Sequence, residues 1–141
     1  MATQEGARTF DLSLVTPEGA AFEGEAEMLI VPGAAGEIGV LARHAPLVAM
    51  LQAGETRVKA GGEWTFFATG AGFFRVHRDR ALVLVDDAVR AKDIDVEEAR
   101  REVEQARAAL ERAEADEEVD RWQLEQRLRH AENKIAVAGR D

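Results

Sequence analysis

The chain has 141 residues, 46% of them apolar, with no cysteine and a formal net charge of −9. That length supports one domain, or a small domain with an appendage, while the lack of cysteine excludes a disulfide framework, a thiolate zinc site and a cysteine nucleophile. Its basic residues are interleaved with acids, which argues against nucleic acid, and no run of about 18 apolar residues occurs, so any work at a membrane is expected to go through a partner.

From Thr9 to about Ala88, apolar residues recur with period two and are interrupted by turn residues at short intervals, the signature of an antiparallel sandwich or barrel. Phe10, Leu12 and Leu14 alternate with Asp11 and Ser13, and Thr56, Val58 and Ala60 alternate with Glu55, Arg57 and Lys59. Gly61-Gly62 predicts a two-residue hairpin turn. Trp64, Phe66 and Ala68 continue the apolar face, Gly70 and Gly72 bracket the next turn, and Phe74–Val76 and Leu82–Leu84 flank an Arg-Asp-Arg turn. Met28 and Met50 fall on strand patterns and are expected in the core.

After Asp87, glycine and proline vanish until Gly139, and Ala, Glu and Arg dominate, which is helix-forming composition. Asp95 followed by Glu98 predicts a capped start to a first helix, whose apolar stripe is Val96, Ala99, Val103, Ala106, Leu110 and Ala113. The acidic segment 115–120 ends that pattern. Asp120 with Gln123 is expected to cap a second helix, with the stripe Leu124, Leu128, Ala131, Ile135 and Ala138. The fold class is therefore an N-terminal antiparallel β-sandwich, residues 1–88, followed by a C-terminal two-helix antiparallel hairpin, residues 89–141. Half of the first stripe is alanine, so the seam is thin, and a thinly held arm is one that a partner's affinity can draw away from its resting place.

No catalytic constellation emerges. His44, His77 and His130 have no metal-ligand spacing with Glu37, Asp86 or Asp87, and no phosphate loop or nucleophile elbow is present, so His77 and His130 read as polar surface and Asp86-Asp87 as a solvated strand end. Arg121, Arg127, Arg129, Lys134 and Arg140 make the second helix locally basic within an acidic chain, which suits an acidic partner.

The stretch VPGAAGEIGVLARHAPLVAMLQAG, with TPEGAAFEG before it and VLVDDAVRAKDIDVEEAR after it, closely resembles the epsilon subunits of bacterial F-type ATP synthases. The likeness runs from about Phe10 to the C-terminal helix and is strongest at Gly-Glu-Ile-Gly and His-Ala-Pro. It implies a non-catalytic rotor subunit of the central stalk, needing no cofactor of its own, that joins the gamma subunit to the c-ring in proton-driven ATP synthesis. By that resemblance Gly36, Glu37, Ile38 and Gly39 contact the c-ring, and Thr16, His44 and Ala49 face gamma. The hairpin is expected to extend into the alpha/beta catalytic head and inhibit ATP hydrolysis there, with Arg121, Arg127, Arg129 and Lys134 meeting acidic segments. With no transit peptide in the sequence, the expected place is the cytoplasmic side of a bacterial inner membrane, bound peripherally.

Two other classes compete with this reading: a free regulatory module sensing a small molecule such as ATP, and a hydrolase using His44. Nucleotide-binding epsilon subunits carry Ile/Leu-Asp-x-x-Arg-Ala, and the matching segment here, Ile94 to Ala99, keeps Asp95 but has Glu98 in place of the arginine. A carboxylate there repels phosphate, so weak ATP binding or none is expected.

Overall fold

The computed structural model describes residues 8–113 and 118–140. The period-two pattern forms β1 (Phe10–Thr16), β2 (Gly19–Ala26), β3 (Met28–Gly33), β4 (Gly36–Val40), β5 (Leu47–Leu51), β6 (Gly54–Ala60), β7 (Glu63–Thr69), β8 (Gly72–His77), β9 (Arg80–Val85) and β10 (Ala88–Arg90). Backbone pairing runs β10-β7-β6-β3-β5-β8-β9-β1-β2, with β4 on the free side of β3. This ribbon folds into two layers: β10, β7, β6, β3 and β4 form one, and β5, β8, β9, β1 and β2 the other. All pairings are antiparallel except β1 with β9.

The layers join at two corners. At the first, β3 and β5 share the single pair Gly33↔Leu51, with hydrogen bonds from Ala34 N to Met50 O and from Gln52 N to Pro32 O. At the second, the chain bends from β7 to β8 beside its own return from β9 to β10, and Gly70 N donates to Asp87 O at 2.9 Å while Asp86 N donates to Ala71 O at 3.1 Å. A Cβ on Gly72, the first residue of β8, would run into the backbone of Leu84 and Val85, so only glycine allows the close approach there.

The inward residues of both layers interdigitate: Leu12, Leu14, Phe74 and Val83 from one, Leu29, Val31, Val58 and Phe67 from the other, all nearly inaccessible to water. Thr56 and Thr69 are the buried polar side chains among the described residues, and they satisfy each other through a 2.8 Å hydroxyl contact, with Thr69 also donating to Gly54 O. Two expectations change here. Met50 is 63% exposed, because it lies on the outward register of β5. On β7 it is Phe67 that enters the sandwich, while Phe66 and Ala68 face the other way beneath the helical arm. That end of the strand is covered on both faces, and period two cannot say which apolar face is the inner one.

Gly61 and Gly62, with φ of 60° and 79°, make the expected β6–β7 turn. Helix α1 spans Val96–Arg112 and begins as expected, with the Asp95 carboxylate accepting from Glu98 N at 3.1 Å. Helix α2 spans Glu118–Val137, so Asp120 lies inside its first turn and is not its cap. The link 114–117, and with it part of the expected acidic stop, is outside the described residues. The helices pack together as a hairpin, and α2 also rests on β6 and β7. The burial follows the expected stripes in part: Ala99, Val103 and Ala106 on α1, Ala131 on α2, and additionally Val137, which closes a small second core with Ala68 and Ala91.

Candidate functional surfaces

Three surfaces carry the residues singled out by sequence. The first is the β3–β4 hairpin. Gly33 pairs with Gly36, and Pro32 with Glu37, so the Gly-Glu-Ile-Gly segment, residues 36–39, opens β4 directly after the turn. Gly36 has φ of 138°, a conformation that favours glycine. Ile38 packs against the core, whereas Gly36, Glu37 and Gly39 are exposed. Glu37 is not free: Arg57 on β6 donates to its carboxylate at 2.8 Å, which draws it across the face of β3.

The second surface is the outer face of the β5-β8-β9-β1 layer. Along it Met50 stands opposite Phe73, Val48 opposite Arg75, and His77 opposite Arg80. Val48, Met50 and Phe73 are 68%, 63% and 38% exposed, an apolar patch on this face, and Leu41 in the loop after β4 is likewise exposed. Thr16 ends β1, and its hydroxyl accepts from Glu18 N in the turn to β2, away from His44. Ala49 points toward the core between Val48 and Met50, so its contribution to a contact surface is through its backbone. His44 is half-buried, with Nδ1 2.6 Å from Ala45 O, and it has no carboxylate or hydroxyl partner with which to do chemistry among the described residues. The structure thus does not gather Thr16, His44 and Ala49 into one cluster; they lie along one layer.

The third surface is the seam between arm and sandwich. His130 Nε2 lies 2.7 Å from Asp87 Oδ2, and its side chain is 13% exposed, so the expectation of a solvated His130 is overturned, whereas the Asp87 side chain is paired yet 41% exposed and Asp86 is exposed. Helix α2 places Lys134 one turn further on, 3.9 Å from the same carboxylate and 2.8 Å from Glu102 on α1. The His130 hydrogen bond, with Lys134 adding charge, holds the Asp87 carboxyl below its ordinary range against a partly opposing burial. Asp86 moves the other way, raised chiefly by burial with repulsion from Asp87 added, although the His130 charge opposes it. Around this pair, Gln126 Oε1 accepts from Ala53 N at 2.8 Å, Arg129 donates to the Gln52 side chain, and Arg140 meets Glu55 at 3.3 Å and lies over the Phe66 ring.

The four cations expected on the inhibitory face therefore divide. Arg129 docks the arm through Gln52, and Lys134 pairs with Glu102 within the arm while lying 3.9 Å from Asp87; among the described residues Arg121 pairs with Glu125 on its own helix, and Arg127 is exposed at the mouth of a cleft beside His130. Asp95 is exposed but occupied as a helix cap. Among the described residues no group of three or more His, Cys, Asp and Glu could hold a metal, and no helix is long and apolar enough to cross a membrane. Sequence reasoning missed the His130–Asp87 contact, which joins residues 43 positions apart.

The geometry is matched by relatives. Residues 9–91 fit the model of the ATP synthase, Delta/Epsilon chain, beta-sandwich domain. The ATP synthase epsilon chain of Halalkalibacterium halodurans is 40% identical over 132 residues, covering 94% of this chain and 98% of the relative. The sodium ion specific ATP synthase epsilon chain of Propionigenium modestum is 38% identical, covering 92% of this chain and 93% of its own length. Among solved structures, a chain in the cryo-EM structure of the Euglena gracilis mitochondrial ATP synthase, which contains its c-ring, superposes with a TM-score of 0.73 at 25% identity, covering 91% of this chain and 80% of that one. The two-layer sandwich, the exposed Gly-Glu-Ile-Gly hairpin and the near full-length likeness lead to one assignment: this chain belongs to the ATP synthase delta/epsilon chain family.

Proposed function

We propose that the chain is a non-catalytic central-stalk subunit of an F-type ATP synthase, joining gamma to the c-ring and carrying a regulatory arm. The observation that carries this reading is the 40% identity to a bacterial epsilon chain across 94% of the sequence. In this reading residues 1–88 are the coupling body and residues 89–141 the arm, and the chain is held peripherally at the cytoplasmic side of the membrane. Glu37, aimed by Arg57, stands on the c-ring with Gly36, Ile38 and Gly39, while the layer bearing Val48, Met50 and Phe73 takes gamma together with Thr16, His44 and Ala49. When the arm leaves the sandwich, Arg129 is freed from Gln52 to join Arg121 and Arg127 as a basic strip for the catalytic head, and Lys134 parts from Asp87 while keeping its pair with Glu102 inside the arm.

A tagged full-length chain should recover the other ATP synthase subunits from detergent-solubilised membranes, and a cysteine at position 37 should form a disulfide with a cysteine placed in the c-subunit loop. Recovery without the synthase subunits would overturn the assignment; recovery without the disulfide would overturn the orientation.

A further inference from the structure

The outer face of the β5-β8-β9-β1 layer changes character along its length. Its end near the Gly33↔Leu51 corner is apolar, built from Met50 and Phe73. Its other end, about 13 Å along the strands at 3.3 Å per residue, carries Arg75, His77, Arg78 and Arg80, all exposed, around an open groove floored by Leu82 and Ala81. Among the described residues none of these arginines has a carboxylate within 4.0 Å, and Asp11 is the acidic residue lining the groove. In a chain of net charge −9 this is a concentrated patch of unneutralised positive charge.

The backbone at this end is strained. Arg43, Arg78 and Asp79 are the non-glycine residues with positive φ among those described, at 69°, 54° and 58°. The Arg78-Asp79 turn needs positive φ at both positions, the geometry for which Asn-Gly is the ordinary solution. All three strained residues are tied together, since Arg43 N donates to the Asp79 carboxylate at 2.6 Å across the gap between the β4–β5 loop and the β8–β9 turn. Strain of this kind persists where surrounding structure enforces it, and it gathers at binding sites. Here its effect is to hold Arg78, with Arg75 and Arg80 beside it, on a fixed corner.

We propose that this corner receives an acidic segment of the neighbouring stalk subunit, gamma, whose apolar flank covers Val48, Met50 and Phe73. The proposal rests on the reading that gamma occupies this face. It adds the chemistry of recognition: carboxylates at the basic end steer and orient the encounter, and the apolar end supplies the lasting contact. The occupant is a protein and not an anionic membrane surface, because the basic corner lies at the far end of β5 and β8 from the Gly-Glu-Ile-Gly hairpin that stands on the ring.

Binding of the full-length chain to purified gamma, followed by stopped-flow across a salt series, tests this. For Arg75→Glu/Arg78→Glu/Arg80→Glu the association rate should fall about tenfold or more at low salt and lose its salt dependence, with little change in dissociation. Met50→Ser/Phe73→Ser should do the reverse and speed dissociation. The milder Arg75→Gln/Arg78→Gln/Arg80→Gln, whose unchanged melting temperature certifies its fold, should fall between wild type and the charge reversal. Wild-type association rates and salt slopes in both arginine variants would overturn the proposal and leave the function standing, whereas failure of the wild-type chain to bind gamma would overturn the function itself. Arginine-dependent binding to phosphatidylglycerol vesicles with gamma binding unaffected would assign the corner to lipid and overturn the proposal as well.

Discussion

Replacing Val137 with alanine isolates the energetics of the docked arm. Val137 is 2% exposed and closes a small core with Ala68 on β7 and Ala91, with Phe66 and Ile94 packed around it. It touches none of the residues that fill the sandwich interior, so its loss is felt at the seam. Two methyl groups go, each worth about 0.8 kcal/mol of burial, and the small cavity left behind brings the cost to about 2 kcal/mol. At about 1.4 kcal/mol per tenfold, the open arm becomes about thirty times more populated. Native-state hydrogen exchange on the isolated chain reads this directly: the amides of α2 should lose about that factor in protection, while those of Leu29, Val58 and Val83 keep theirs. Equal loss in the arm and in the sandwich core would show that the two unfold as one unit, and the account of a separately held arm would fail.

Two further outcomes follow from the seam and the helix start. The Asp87 carboxyl is lowered in the folded chain, so its contribution to docking is present above the ordinary carboxylate range near 3.9 and is lost as pH falls through the folded value; the raised Asp86 works in the opposite sense, since protonating it relieves its burial. Spin-label distances between α2 and β7 should therefore hold steady from pH 7 to about 4 and lengthen only below that, and Asp87→Asn should lengthen them at pH 7. Asp95→Ala should cost α1 about 1 kcal/mol through loss of its cap, seen as a lower melting temperature, and calorimetric titration with ATP should show no saturable micromolar isotherm in either chain.

The strands and helices were legible because each rests on a local period. Leu12 and Leu14, or Ala99, Val103 and Ala106, are spaced by the geometry of their own element, and their burial matches it. Met50 and Phe67 were not legible for the same reason. Alternation identifies two faces, but on β5 and β7 both carry apolar residues, one side meant for the core and the other for a partner or the arm. The start of α2 was misread because Asp120 is as acceptable in a first helical turn as at a cap. The His130–Asp87 contact spans 43 positions of sequence, and the strained tie between Arg43 and Asp79 spans 36; neither leaves a trace in any window short enough to show a period.

Asp87 serves two structures at once. Its backbone carbonyl accepts Gly70 N at the corner where the two layers meet, and its side chain holds His130 on the arm. Thermodynamic reciprocity then ties the two: a load that opens or twists the corner displaces the carboxylate from the imidazole, and an arm that departs removes a brace from the corner. In the role proposed for it between ring and stalk, mechanical load at this corner and the position of the arm become conjugate variables, each readable from the other.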